Sequence, residues 1–444
     1  MTADTGNPSA AGSGGSAATG SIISTGSSTD PGPEVPLAAT TNCPDPRSVY
    51  RRLRKKWGTV APVELEPGVN AWLVMGYEEI MIVARRERLY SRNPRNWRAW
   101  QEQSVSPDSG LGPMMFPRDN AYFYDGDAHR RLRAPLDEGI TGLDQRRLRT
   151  SVAAMCADLI AGFAARGTAD LVAEYAAVIP MLAVASLFGL DTADGHELQR
   201  ALIALFGSGE DSQRGNRRFE EIIGAVMIAR KRQPAHDLTT AFLNHPGLHD
   251  DGEVAQSMVL MISAGYETTT TWIAQTLRLM LTDPRFGGRL RGGRLGVDDA
   301  LDEVLWLDPP MANMPARYAL RDTELGGQKI RKGDALILGL SAANDDPRVH
   351  ARHPSAELGN RAHLAWSTGP HTCPAHIPAR IITRTAVDTA LNQLPGVRLA
   401  VPADQLTVQP SPWTRCPAAL PVLFTPPSIP APPVPPSAPA GGST

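Results

Sequence analysis

The feature that most constrains this chain is one very long apolar helix. Asp251 suits an N-cap, and from there the sequence stays apolar to Leu281, where Asp283 and Pro284 end it. At about 1.5 Å per residue such a helix is roughly 45 Å long and crosses a whole domain. Any fold that contains it must wrap other helices around it.

The middle of that helix works against helix formation. Ala264, Gly265, Tyr266, Glu267 and the run Thr268, Thr269, Thr270, Thr271 interrupt an otherwise apolar stretch. A mid-helix glycine costs about 1 kcal/mol relative to alanine, and β-branched threonines lose side-chain freedom. A glutamate there needs a partner or a cavity, because an unpaired buried charge is expensive. Local conflict of this kind marks functional sites. One reading is a helix whose threonines simply bond back to i−4 carbonyls. The other, which we favour, is a helix that opens a groove at Gly265 and presents Glu267 and Thr268 to a ligand.

About a hundred residues later, Trp366, Ser367, Thr368, Gly369, Pro370, His371, Thr372, Cys373, Pro374 and Ala375 form a Gly- and Pro-containing loop around one cysteine. Residues 377–394 then read as a helix. A thiolate just before a helix N-terminus is favoured by the helix dipole and its free amides, which suits a metal ligand. A lone cysteine can equally be a small buried apolar residue.

The rest of the chain is consistent with a helical body. Residues 146–166 and 220–231 carry helical periodicity, and Gly167 is a stop signal. The apolar stretch 175–190, interrupted by Pro180, reads as a buried helix or helix pair and is too short to span a bilayer. Strand signals are confined to 60–65, 71–74, 324–330 and 335–340. The expected fold class is mainly α with a small β-rich subdomain. Residues 1–41 and 426–444 are too poor in large apolar side chains to order, leaving a folded domain over 42–425. A net charge of −2 offers no footprint for nucleic acid. The four cysteines form no CxxC pair, so a disulfide framework and a zinc knuckle are both unsupported and a reducing cytoplasm fits. No membrane anchor is expected. Abundant Arg, Ala, Gly and Pro suggest a high-GC bacterial source.

Together these segments resemble the bacterial cytochrome P450 family, in its actinobacterial form. Ala264 to Thr269 match the long-helix motif A-G-x-[DE]-T-[TS]. Gly369, His371 and Cys373 match the haem-loop motif F-G-x-G-x-H-x-C-x-G, which departs at Trp366, Ser367 and Ala375. His129 and Arg133 look like the family's H-x-x-x-R helix. Leu307, Asp308, Pro309, Pro310, Arg317 and the turn Leu325, Gly326, Gly327 look like the segment that follows its K helix. The resemblance covers nearly the whole core and implies the cytochrome P450 fold with haem b (iron protoporphyrin IX) as cofactor. It implies Cys373 as the iron ligand, Ala264 and Gly265 against the cofactor, and His129, Arg133, Arg317 and His371 at its propionates. It implies that Glu267 and Thr268 hold dioxygen and relay protons to it.

Two departures bear on the cofactor. The family has E-x-x-R where this chain has Glu303, Val304, Leu305, Trp306. Trp306 offers one donor and no charge; we expect it to replace the ion pair by packing, as apolar groups can. Arg361 is the best remaining candidate for the arginine of the later loop. Pro374 has no N–H to donate toward the cysteine sulfur, so we expect a more electron-rich thiolate and a lower reduction potential.

The expected function is insertion of one oxygen atom from O2 into a small hydrophobic substrate. Electrons would come from NAD(P)H through a ferredoxin and a ferredoxin reductase, and the enzyme would be a monomer. The alternative is a haem-binding sensor or partner protein with little turnover. Trp97, Trp100, Met114, Met115 and Phe116 are candidates to line the substrate pocket or to be ordinary core. The polar segment 211–218 reads as a lid edge or solvated loop.

Overall fold

The long helix forms as expected, one residue off at its start. Asp250, not Asp251, caps it by accepting the Glu253 amide at 2.9 Å, and the helix runs unbroken over Asp251–Thr282 with Asp283 as its C-cap. The computed structural model describes residues 32, 35–205, 210–287, 295–349 and 360–427.

Strands β1 (Val35–Pro36), β2 (Val60–Glu66), β3 (Val69–Val74), β4 (Tyr90–Ser91), β5 (Asn313–Ala319) and β6 (Ala335–Gly339) make one sheet in the order β1-β2-β3-β6-β5-β4. β1 joins β2 in parallel and β3 joins β6 in parallel; the other pairings are antiparallel. The helices that build the site are α1 (Tyr77–Arg85), α2 (Gly126–Thr141), α3 (Gln145–Phe163), α4 (Ile179–Leu187), α5 (Thr192–Leu205), α6 (Glu210–Arg232), α7 (Asp251–Thr282), α8 (Val297–Leu307) and α9 (His376–Gln393). The 324–330 strand signal is a hairpin, Thr323–Leu325 against Gln328–Ile330, turned at Gly326 and Gly327. The stretch 175–190 begins in a π-helix, Val172–Ala176, and continues in α4 with Pro180 in its first turn, where its missing N–H does no harm.

α7 is the axis of the body. Its C-terminal half packs against α3, α8 and α9 through Trp272, Ile273, Leu277, Val304 and Ala386. Its N-terminal half packs under α4, α5 and α6 through Met258, Ile262, Met181 and Phe219. By length and composition Gln145–Arg166 is apolar enough to cross a membrane. Its apolar face, however, is spent on the core: Leu148, Val152, Cys156, Ile160 and Phe163 are all buried.

Two expectations are corrected. The N-terminal tail does not extend to residue 41. Val35 pairs with Val63, and Leu37 and Thr40 are fully buried. Compositional averaging over 41 residues hid this short apolar anchor. Thr41 Oγ1 donates to the Ser411 carbonyl, and Asn313 Nδ2 donates to both Thr40 Oγ1 and the Pro412 carbonyl at 2.8 Å. The remaining expectations for the tails, over 1–31 and 428–444, lie outside the described residues. The second correction concerns 211–218, which is not a loop but the start of α6. Ion pairs at i,i+3 such as Arg218–Glu221 (3.1 Å) support that polar face. Gly215 lets α6 cross α5 at backbone distance, since a Cβ there would lie 2.5 Å from the Leu205 nitrogen.

Candidate active site

A cavity of about 1840 Å³, counting the open space at its mouth, lies between α7 and the cysteine loop. Ala264, Gly265 and Thr268 line it from α7; Trp366, Cys373 and Ala375 line it from the other side. The expected groove at Gly265 is not a break in the helix. Gly265 instead admits α4, because a Cβ there would meet Val184 at 3.2 Å. Ala264, one position away, is exposed to the cavity. The Thr268 hydroxyl donates to the Ala264 carbonyl at 2.8 Å, the i−4 back-bond considered above. Glu267 turns toward the C-terminal loop, where its Oε1 accepts from Thr414 Oγ1 at 2.8 Å. Burial raises the pKa of this carboxyl, and the Thr414 hydrogen bond offsets part of that rise.

The cysteine loop is shaped before any ligand is considered. The Cys373 amide donates to the Trp366 carbonyl at 3.0 Å, and the Thr372 amide to the Gly369 carbonyl at 3.0 Å. Gly369 has φ +76°, and a Cβ there would lie 2.5 Å from the Ala84 carbonyl, so only glycine lets the loop rest on α1. Ser367 also takes a positive φ, +60°, without glycine's freedom. Trp366 stacks edge-on against Trp272 of α7 at 5.3 Å. Burial pushes the Cys373 thiol up, while the Ala375 amide and the Arg133 charge pull it back. The amide that Pro374 lacks is thus partly made good by its neighbour.

Arg92, His129 and His371 line one part of the cavity, and Arg317, not itself on the cavity wall, is buried close enough to Arg92 to feel its charge. Arg92 and Arg317 are each 1% exposed, His129 3% and His371 7%. The two imidazoles lie 4.0 Å apart. Both terminal nitrogens of Arg92, Nη2 of Arg317 and Nε2 of each histidine have no hydrogen-bond partner. Glu87 and Asp125 stand 3.6 and 3.7 Å from His371 Nε2, beyond hydrogen-bond reach. Burial, and then Arg92, lower the Arg317 pKa to about 9; burial, and then Arg133, lower that of His129 to about 4. A protein does not leave so many buried donors unpaired without a ligand for them. The two carboxylates of haem b would satisfy this demand, and the Cys373 thiol, a donor suited to a metal, borders the same cavity. The residues present fit that group.

Two sequence-level assignments differ in geometry. Arg133 is not among the unpaired donors: its Nε donates to Asp137 at 2.6 Å and its Nη2 to the Thr372 carbonyl at 2.8 Å. Arg92 was missed altogether, because nothing in its local sequence separates it from a surface arginine. Of the five candidate pocket residues only Met114 lines the cavity. Met115 and Trp97 are core of the sheet layer, and Trp100 stacks outside on Phe116 at 4.9 Å. Glu303 pairs with Arg285, whose guanidinium also holds Asp283. Arg361 instead lies 3.4 Å from Asp302. Trp306 Nε1 donates to the Asn360 carbonyl at 2.8 Å and its ring meets His363 edge-on at 5.8 Å.

No protein-family model matches the chain. It is 30% identical over 374 residues to biflaviolin synthase CYP158A1 of Streptomyces coelicolor, covering 82% of this chain and 90% of that protein. The chain belongs to the cytochrome P450 family. This P450 is also 28% identical over 389 residues to 2-hydroxy-5-methyl-1-naphthoate 7-hydroxylase of Streptomyces carzinostaticus, covering 84% and 93% of the two chains. The solved structure of CYP154A1 from Streptomyces coelicolor superposes on it with a TM-score of 0.76 at 27% identity, covering 87% of this P450 and 99% of that chain. The P450 fold, haem b as cofactor and an oxidoreductase of the monooxygenase type follow from these relationships.

Proposed function

We propose that this P450 hydroxylates a small hydrophobic substrate: RH + O2 + 2 e⁻ + 2 H⁺ gives ROH + H2O. The observation that carries this reading is that Cys373 and the Glu267–Thr268 pair border one cavity whose end is lined by unpaired buried donors. Haem held by the Cys373 thiolate supplies the activation of O2, favoured by electron donation from sulfur.

The chain's own residues do the rest. Arg92, Arg317, His129 and His371 bind the two propionates, exchanging orphaned donors for charge-assisted hydrogen bonds. Arg133 ties α2 to the Thr372 carbonyl and so fixes the ligand loop. Ala264 would give the cofactor a wall of little side-chain bulk, while Gly265 lets α4 pack against the same turn of α7. Thr268 holds a hydroxyl at the cavity beside Ala264, and Glu267 holds the proton that this site consumes. Burial shifts Glu267 toward its neutral form, which suits a proton donor better than a fixed anion. Trp306 takes the place of the family's arginine by packing on His363 and donating to Asn360, while Arg285 serves Glu303. Electrons come from NAD(P)H through a ferredoxin and its reductase to a cytoplasmic monomer.

The carbon monoxide difference spectrum of the reduced protein tests the reading. A band at about 450 nm is the expected outcome of thiolate ligation. Its absence, or its persistence in Cys373→Ala, overturns the assignment.

A further inference from the structure

The cavity holds one charged group that the haem-site reading does not use. Arg118 lies on the loop between Phe116 and Asn120 and lines the same cavity as Met114, Ile140, Leu205 and Val259. It makes no hydrogen bond and no ion pair among the described residues. Its sequence neighbour Asp119 is already engaged, with Arg95 at 3.2 Å and the Tyr124 hydroxyl at 2.7 Å. The countercharge acting on Arg118 is Glu220 of α6, which is exposed and accepts from Asn216 at 2.9 Å. Burial lowers the pKa of Arg118 below the ordinary guanidinium value.

Arg118 also stands apart from the cluster at the other end. Arg92, Arg317, Glu87 and Asp125 perturb one another, but none of them acts on Arg118. It is therefore a cation apart from that cluster, in a cavity lined mainly by apolar side chains, with Asn120 and Tyr122 contributed by its own loop. Arg118 is half-buried, and an unpaired guanidinium on a largely apolar cavity wall favours an anionic ligand there. Its planar fork matches one carboxylate through two parallel hydrogen bonds. A phosphate dianion would call for a second cation, and outside the haem-site set no other Arg, Lys or His lines the cavity among the described residues.

We propose that Arg118 is a substrate-binding residue and that this P450 acts on apolar monocarboxylic acids, held by their carboxylate at Arg118 with the hydrocarbon body reaching toward Cys373. This names the substrate class of the proposed monooxygenase and rests on that reading. The carboxylate is a handle rather than the reacting group: it is bound, while a C–H bond elsewhere is the one oxidised.

The test compares matched acids and primary amides, namely 2-naphthoic, 4-phenylbenzoic and decanoic acid with their amides. Binding to the holoprotein is measured by equilibrium dialysis and by the shift of the haem absorption band. At least one acid is expected to bind about 10- to 100-fold more tightly than its amide, the range for a charge-assisted pair in a buried site. Arg118→Gln abolishes the difference by weakening the acid alone, and Arg118→Lys restores part of it. If no acid is preferred over its amide, or if Arg118→Gln weakens both equally, the proposal is overturned. A preference seen by dialysis in protein that lacks the band at about 450 nm would instead leave Arg118 standing and remove the haem-thiolate reading.

Discussion

Arg317 should trade stability against cofactor retention, and replacing it by methionine exposes the trade. Methionine keeps much of the volume and removes the charge. Burial and Arg92 hold the Arg317 pKa at about 9, well below the ordinary guanidinium value. At about 1.36 kcal/mol per pKa unit, keeping it charged in the haem-free fold costs at most about 5 kcal/mol. The sign follows from protonation: the group is a cation whose folded pKa is depressed. The penalty is therefore complete below pH 9 and fades as pH rises above it toward the ordinary guanidinium value. At pH 7 the haem-free Arg317→Met protein should gain a few kcal/mol in urea unfolding, with a smaller gain at alkaline pH. The loaded protein should behave in the opposite way. Loss of charge-assisted bonds of about 1.5–3 kcal/mol speeds haem transfer to apomyoglobin about 10- to 150-fold. A haem-free variant less stable than wild type, or unchanged haem transfer, would refute the view that Arg317 waits for an anion.

Three further outcomes are expected. Ser367→Gly should stabilise the protein by about 1 kcal/mol, because it relieves a left-handed backbone and removes a buried hydroxyl that has no partner; Ser367→Ala, which removes only the hydroxyl, should gain less, and a loss in both variants contradicts the strain. Thr414→Val removes the donor to Glu267 and raises that carboxyl further, so its protonated C=O infrared band should persist to higher pH than in wild type; an unmoved titration shows the bond to be idle. Pro374→Leu should add an amide near the sulfur and raise the haem reduction potential, and an unchanged or lowered potential in a redox titration rejects the idea.

Periodicity and punctuation were enough to locate most of the secondary structure. The α7 run, the Gly167 stop, the Gly326–Gly327 turn and the helix after Cys373 are each local signals, and each forms within a residue or two of its expected place. Partnership was much less legible. Glu303 finds Arg285 rather than Arg361, and Arg92 joins the buried cations although its neighbours Ser91 and Asn93 look like loop surface. Both depend on chain segments that meet only in three dimensions. Gly265 shows the same limit: the sequence marked the residue, but its reason is Val184 on another helix. The resemblance to a family supplied what periodicity could not, namely which remote motifs share one cavity.

The bond between Thr41 and the Ser411 carbonyl joins residues 370 positions apart. A ribosome adding about 5–20 residues per second needs roughly 20–70 s to cover that distance. Throughout that interval the N-terminal anchor can pair with β2 but lacks the Ser411 carbonyl that completes its seat. The segment that follows Ser411 carries Thr414, the donor to Glu267. Birth order therefore places completion of the acid's hydrogen bond and seating of the N-terminus in the same last stage of synthesis. A nascent chain stalled before residue 411 would already contain Cys373, Arg92, Arg317, His129 and His371, yet would leave Glu267 without its partner. The hydrogen bond to Glu267 thus depends on the final stretch of chain.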